Sequence, residues 1–190
     1  VYDVSGKPSY NWVGIVNNFM KLSKIIEKIY NLLDTYHSFR IYSFYKNKKI
    51  DCVIDVGSHK GEFITKVIRN KKIPIYSFEP QISVIGELKK NTKYFNLKKY
   101  YNFAVSDFNG TVELQLNEMS STTSLLKSNQ SSLWIKFKRI ILGNKLYIGI
   151  QKTKVIQLNE IFRDRLKKYK CMLLKIDVEG NEINVLKGAK

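Results

Sequence analysis

The chain has 190 residues, 44% of them hydrophobic, with 33 Lys and Arg against 16 Asp and Glu, a formal charge of +17. This length suits one domain with a real core, and no stretch approaches the ~18 apolar residues that cross a bilayer. The charge raises an acidic partner, nucleic acid or a membrane surface. Arginine, the better reader of bases and phosphates, occurs only at Arg40, Arg69, Arg139, Arg163 and Arg165. The other 28 of the 33 basic residues are scattered lysines among abundant Asn, Ile and Tyr. Compositional bias is the preferred explanation, and nucleic acid is not the expected partner.

The first residues show no basic start, apolar stretch or cleavage site of a secretory leader. A chain that opens at Val1 leaves room for residues before it. Cys52 and Cys171 each open an apolar run. They read as buried free thiols in a reducing compartment, hence a cytoplasmic protein. No further Cys or His keeps metal-ligand spacing, so no metal site is expected.

Residues 1–16 lack periodicity and read as a loose arm. Phe19, Leu22, Ile26, Ile29, Leu33 and Tyr36 then recur at three and four, one face of a helix. Such a basic helix could lie on a membrane surface or mediate a homodimer; a helix covering the domain is the preferred role. Residues 1–49 are thus an arm and an amphipathic helix, and 50–190 form the main domain.

From there strand and helix alternate: a strand at 51–56, a helix at 61–70, a strand at 73–78, a helix at 81–91 and a strand at 99–105. Pro80 suits the start of the second helix. This rhythm predicts an α/β fold with a mostly parallel sheet and helices on both faces. Residues 106–157 break it. Asn109-Gly110 signals a hairpin into a returning strand at Thr111–Leu116. Ser120–Ser132 reads as a loop. Trp134–Leu142 and Lys145–Ile156 flank a second turn at Gly143-Asn144. A short helix follows from about Asn159, whose side chain can cap it. Met172–Asp177 is a fourth buried strand, and Glu182–Ala189 a last helix.

Three apolar strands therefore end in Asp55, Glu79 and Asp177. Ligands of open α/β sheets bind above the carboxyl ends of the strands, where strand order reverses. After the first strand, Gly57-Ser58-His59-Lys60-Gly61 forms a turn whose glycines permit φ > 0 and close backbone approach. Its N–H groups are expected to face the ligand. The two glycines stand four apart, unlike the dinucleotide pattern G-x-G-x-x-G. Glu79 lies near the distance at which an acid meets ribose hydroxyls. Three acids suit hydroxyls and a cationic amine and suit a pyrophosphate poorly. A nucleoside carrying an amino acid is favoured over NAD.

The ordered segments VIDVGSHKGEF, YSFEP, NFAVSDFNGTVEL, SSTTSLL and LLKIDVEGNEINVLKGA resemble the FkbM family of S-adenosylmethionine-dependent methyltransferases over roughly residues 50–190. KIDVEG-x-E followed by VLKGA is the most specific part. The resemblance implies a class I methyltransferase-like (Rossmann-like) fold and S-adenosyl-L-methionine as cofactor. Asp55, Gly57, Ser58 and Gly61 would hold its methionine end, and Glu79 its ribose hydroxyls. The segment around Ala104 and Val105, to Asp107, would line the adenine. Asp177 and Glu179 would flank the methyl group and the acceptor. The family often has Ala-Asn at Ser58-His59. Its members act mainly as O-methyltransferases on sugars, polyketides and related metabolites, so a small-molecule or carbohydrate acceptor is expected.

His59, Glu179 and Asp177 are the candidate bases. Each has a plainer role: His59 shapes the turn, Asp177 holds the cofactor amine, Glu179 caps the final helix. Lys175, inside the fourth strand, needs a carboxylate partner if buried. Ser120-Ser121-Thr122-Thr123-Ser124 is either a substrate-facing loop or a linker. The family fold, with strand order 3-2-1-4-5-7-6, continues past VLKGA, so the chain reads as C-terminally incomplete. A nucleic-acid methyltransferase or binding module and a non-catalytic remnant of the fold are the alternative readings.

Overall fold

A computed structural model describes residues 29, 32–116, 149–164 and 167–190. The chain falls into two compact units, Val1–Ser43 and Phe44–Lys190. In the first, the described residues, 29 and 32–43, are helical, the latter within α1, residues 32–45. They carry the C-terminal part of the apolar periodicity; Phe19, Leu22 and Ile26 lie outside the described residues. Among the described residues no helix is long and apolar enough to cross a membrane.

The second unit is built on β1 (Cys52–Val56), α2 (Glu62–Val67), β2 (Ile75–Phe78), α3 (Ile82–Asn91) and β3 (Leu97–Tyr101). Then come β4 (Ala104–Val105), β5 (Gly110–Leu116), β6 (Gly149–Ile156), α4 (Leu158–Phe162), β7 (Met172–Ile176) and α5 (Glu182–Lys187). The main sheet has the order β3-β2-β1-β7, all parallel. Every residue of the two interior strands, β1 and β2, is buried, as a parallel strand covered on both faces requires. β3, at one side, keeps Lys98 and Lys99 exposed.

Alternation along the strands divides the core. Cys52, Ile54, Val56, Tyr76, Phe78 and Tyr101 pack with Leu158 and Phe162 of α4 and Val185 of α5. Phe78 stacks on Tyr101 with ring centroids 4.5 Å apart, and Phe162 meets Tyr76 edge-on at 5.1 Å. The opposite face carries Val53, Asp55, Ile75 and Ser77, all buried. Both crossovers, β1-α2-β2 and β2-α3-β3, step in one direction along the sheet, so their right-handedness puts α2 and α3 on this face. Those helices bury Ile64, Val67, Val84 and Leu88. The fold is thus a mostly parallel, Rossmann-like α/β sheet.

Several expected boundaries are corrected. The strand expected at 99–105 is two strands: β3 ends at Tyr101, and β4 lies parallel to β6 in a second sheet ordered β4-β6-β5. Asn102 makes the break. Its amide donates to the Glu79 and Pro80 carbonyls at 2.9 and 3.1 Å and turns the chain out of the first ladder. The Asn109-Gly110 hairpin does not form. β5 pairs antiparallel with the distant β6, from Gly110↔Val155 to Leu116↔Gly149. Asn109 Oδ1 instead accepts the Gln157 N–H at 2.9 Å.

The helix expected to reach 70 stops at Val67, because Ile68 is already extended (φ −79, ψ 106). Gln157, not Asn159, stands at the start of α4, without a side-chain cap. The Asn159 amide reaches the Lys190 carbonyl, at 3.3 Å. The loop expected at Ser120–Ser132, the strand at Trp134–Leu142 and the Gly143-Asn144 turn lie outside the described residues.

Candidate functional site

Strand order places β2 and β3 on one side of β1 and β7 on the other, so the topological switch lies between β1 and β7. Their carboxyl ends meet closely. Gly57 has φ +75, and a Cβ there would stand 1.9 Å from the Asp177 carbonyl oxygen. Gly61, at φ +85, faces the Thr92 and Leu88 side chains, at 2.7 and 3.1 Å from such a Cβ. Both glycines are demanded by contacts inside the protein.

The turn N–H groups are consumed internally, contrary to the expectation that they face a ligand. Gly57 and Ser58 donate to the Phe78 carbonyl at 2.9 and 3.0 Å, and Gly61 to that of Ser58 at 2.7 Å. His59 donates to Glu79 Oε2 at 2.8 Å, and Lys60 to Glu62 Oε2 at 3.1 Å. What remains around the turn is mostly acceptor: carboxylates and carbonyls. Such a rim suits positive charge and hydroxyl donors, not phosphate.

Asp55 is wholly buried, opposite Lys175 in the β1–β7 register. Lys175 Nζ stands 3.2 Å from Asp55 Oδ1 and 3.7 Å from Asp177 Oδ2. Neither Asp55 oxygen accepts a well-directed hydrogen bond, so the contact is an ion pair of loose geometry. Burial pushes the Asp55 carboxyl above its ordinary 3.8, and the Lys175 charge only partly opposes this. Ser58 Oγ donates to the Asp55 carbonyl at 2.8 Å and receives the Ser77 hydroxyl at 2.6 Å. These serines tie β1 to β2 beneath the turn.

Glu79 is also buried, and burial raises its carboxyl above the usual range. The N–H groups of Gln81 and His59, both at 2.8 Å, oppose the shift. The His59 and Lys175 charges act in the same sense. Asp177 sits at the rim, its side chain 70% exposed. Through Lys175, the acids of β1, β2 and β7 therefore belong to one electrostatic cluster.

His59 and Glu179 are the positive-φ non-glycine residues among those described, at φ 45 and φ 50. One lies after β1 and the other after β7. L-residues adopt this conformation rarely, and such strain concentrates at functional sites. His59 Nδ1 meets Glu62 Oε1 at 3.1 Å. Burial raises the Glu62 carboxyl, but hydrogen bonds from His59 and the backbone outweigh it and hold the group below its usual range. Glu179 is exposed. The N-cap position of α5 is Asn181, and Glu182 Oε1 accepts the Val178 and Gly180 N–H groups, at 3.2 and 3.1 Å.

Ala104 and Val105 are buried at the end of β4. Asn181 donates to the Val105 carbonyl at 3.1 Å and contacts Ser106 Oγ at 3.3 Å. A Cβ on Gly188 would lie 2.0 Å from the Ser106 carbonyl, which gives the VLKGA glycine its reason. Sequence reasoning missed Asn181 and Glu62 as supports. Glu62 was findable, three residues beyond His59 on a helix start. Asn181 was not, because its partner lies 76 residues away.

A hollow of about 420 Å³ lies elsewhere, over Tyr101 and Phe103 between Lys99 and Arg163, and touches none of the three acids. The acid cluster, at the switch point, has the stronger chemical claim to the site. Among the described residues no group of three His, Cys, Asp or Glu is disposed to hold a metal ion.

No curated protein and no solved structure matches the chain. The Methyltransferase FkbM domain matches residues 55–190. It begins at the acid of β1 and covers every element from the turn to α5, so the chain belongs to the FkbM methyltransferase family.

Proposed function

We propose that the protein transfers a methyl group from S-adenosylmethionine to a hydroxyl of a sugar or other small metabolite. The carrying observation is the acid cluster at the β1/β7 switch point, with a turn whose N–H groups are already bonded. Three carboxylates against one lysine suit a nucleoside with an ammonium and a sulfonium. The bound cofactor would supply an electrophilic methyl group, displaced from sulfur as a thioether leaves.

The chain's own residues would do the rest. Glu79, oriented by two N–H groups, would accept the ribose hydroxyls. Asp177, at the rim, would receive the amine. Gly57, Ser58 and Gly61 would shape the floor of the methionine end, with Asp55 below them. Ala104 and Val105 would form the adenine wall. Alignment of acceptor, methyl and sulfur can lower the barrier by ~7–11 kcal/mol. A base for the acceptor proton adds ~10²–10⁴-fold. Glu179, His59 and Asp177 are the groups for that role, and the strained backbone of the first two supports them.

A small acceptor is preferred to nucleic acid although the charge is +17. Tyr94 and Tyr100, rings that could stack on bases, each lie beneath a lysine of the chain itself, at 4.6 and 5.6 Å. Calorimetric titration with S-adenosylmethionine tests the reading, with micromolar binding expected. No heat at high micromolar cofactor overturns it. RNA or DNA binding that falls steeply with salt would instead favour the nucleic-acid alternative.

A further inference from the structure

Lys175 is the one lysine inside the acid cluster among the described residues, and it lies within 4 Å of two of its carboxylates. Its side chain is 17% exposed. Nζ lies 3.2 Å from Asp55 Oδ1, 3.7 Å from Asp177 Oδ2 and 3.5 Å from the Val56 carbonyl, and it donates to the Gly57 carbonyl. The Phe63 ring centroid is 6.0 Å away on another side. A buried ammonium has three N–H donors to satisfy, and Asp55 with the Val56 and Gly57 carbonyls already offers three acceptors, so the Asp177 carboxylate is an oxygen beyond that need. This one also joins the carbonyl of the turn to the exposed carboxylate after β7.

We propose that Lys175 is the positioning residue of the donor site: its ammonium holds the Gly57 carbonyl and the Asp177 carboxylate around a common point. The inference rests on the donor reading above. Asp177 is exposed and sits on a loop, so an untethered carboxylate would sample many rotamers and lose them on binding. The ion pair, at 3.7 Å, biases Asp177 towards that position and so reduces the loss before the ligand arrives. Lysine suits the task because a compact ammonium directs three donors to separate oxygens, whereas guanidinium is a planar fork.

Lys175→Met alone strands a buried carboxylate. The neutral double variant Asp55→Asn/Lys175→Met leaves no stranded charge, and because Asp55 itself underlies the methionine end, positioning is read from the effect of Asp177→Asn in the two backgrounds. Its thermal unfolding and its affinity for S-adenosylhomocysteine, read by calorimetry, are compared with those of the parent. The expected result is unfolding near the parent temperature with affinity at least ~10-fold weaker. Asp177→Asn should weaken binding in the parent and add little in the double variant. Equal affinity of parent and double variant, or the same loss from Asp177→Asn in both backgrounds, overturns the proposal. If the double variant does not fold, Lys175→Arg decides: a folded protein with weakened binding supports the tether, and full affinity overturns it. A parent that binds neither S-adenosylmethionine nor its product defeats the donor reading itself, and the tether falls with it.

Discussion

The Glu79 carboxylate accepts the His59 N–H, twenty residues earlier in the chain, at 2.8 Å, and the Gln81 N–H at the same distance. One side chain therefore fixes both the turn after β1 and the entry to α3. The two oxygens are aimed before any ligand arrives, which is what a ribose-binding acid needs. Glu79→Ala would leave both donors without this acceptor, and a buried unpaired N–H costs ~1–3 kcal/mol. A loss of ~2–4 kcal/mol in denaturant unfolding is expected. Glu79→Gln keeps one acceptor and should cost about half as much. It should still weaken S-adenosylmethionine binding by about tenfold, since an amide is a poorer acceptor for paired hydroxyls. Unchanged affinity would remove Glu79 from the ribose site.

The same carboxyl sets a pH dependence. Burial raises its folded-state pKa above the ordinary 4.5. Between the unfolded and folded values the native state holds the extra proton, so stability falls as pH rises. The contribution is complete below the unfolded value and lost through the folded one. The stability of the parent relative to Glu79→Gln should therefore be greatest in acid and decline towards neutral pH. Denaturant unfolding at a series of pH values reads this difference, and Asp55, common to both proteins, cancels. A difference that grows with pH would contradict the burial argument.

How much of this was legible beforehand follows from what each signal depends on. β1 and β2 were readable because a strand buried on both faces must be apolar throughout, apart from Asp55 and Ser77. Asp55 and Glu79 were readable because each closes such a run. Asp177 closes an apolar run too, but the expectation of a fourth buried strand is corrected, because β7 is an edge strand of the described sheet with Met172 and Leu174 exposed. The split of the expected third strand was not, because it depends on an Asn102 side chain reaching back to Glu79 and Pro80. The hairpin at Asn109-Gly110 failed for a similar reason. A local turn signal competes with any partner strand, and the winner, β6, is distant in sequence. The bonding of the turn N–H groups also escaped, since it needs the Phe78 carbonyl in place.

The two thiols should differ sharply. Cys52 is fully buried, and burial pushes its thiol up to about 12. At pH 8 its thiolate would be about one part in ten thousand. Cys171, expected to be buried like Cys52, is instead partly exposed, and neither cysteine is in a disulfide. An aromatic disulfide reagent at pH 8 should titrate one thiol in the native protein and the second only on addition of denaturant. Two fast equivalents without denaturant would show that β1 is not enclosed as described.

A pair of glycine substitutions separates backbone demand from chance. Gly57 has φ +75, and a Cβ there would lie 1.9 Å from the Asp177 carbonyl oxygen, a backbone atom that cannot rotate away. Alanine must both adopt a strained conformation and push β1 from β7. Strain of this kind costs ~1–3 kcal/mol before the collision is counted. Gly57→Ala is expected to lose ~3 kcal/mol or more and to abolish S-adenosylmethionine binding. Gly86 lies inside α3, at ordinary φ, and a Cβ there would meet nothing within 4 Å. At that position alanine restricts the unfolded chain and favours the helix, a gain of ~0.4–1 kcal/mol. Urea unfolding of the two variants should move in opposite directions. A Gly57→Ala protein as stable as the parent would mean that β1 and β7 do not meet at this turn, and the acid cluster would lose its geometric basis.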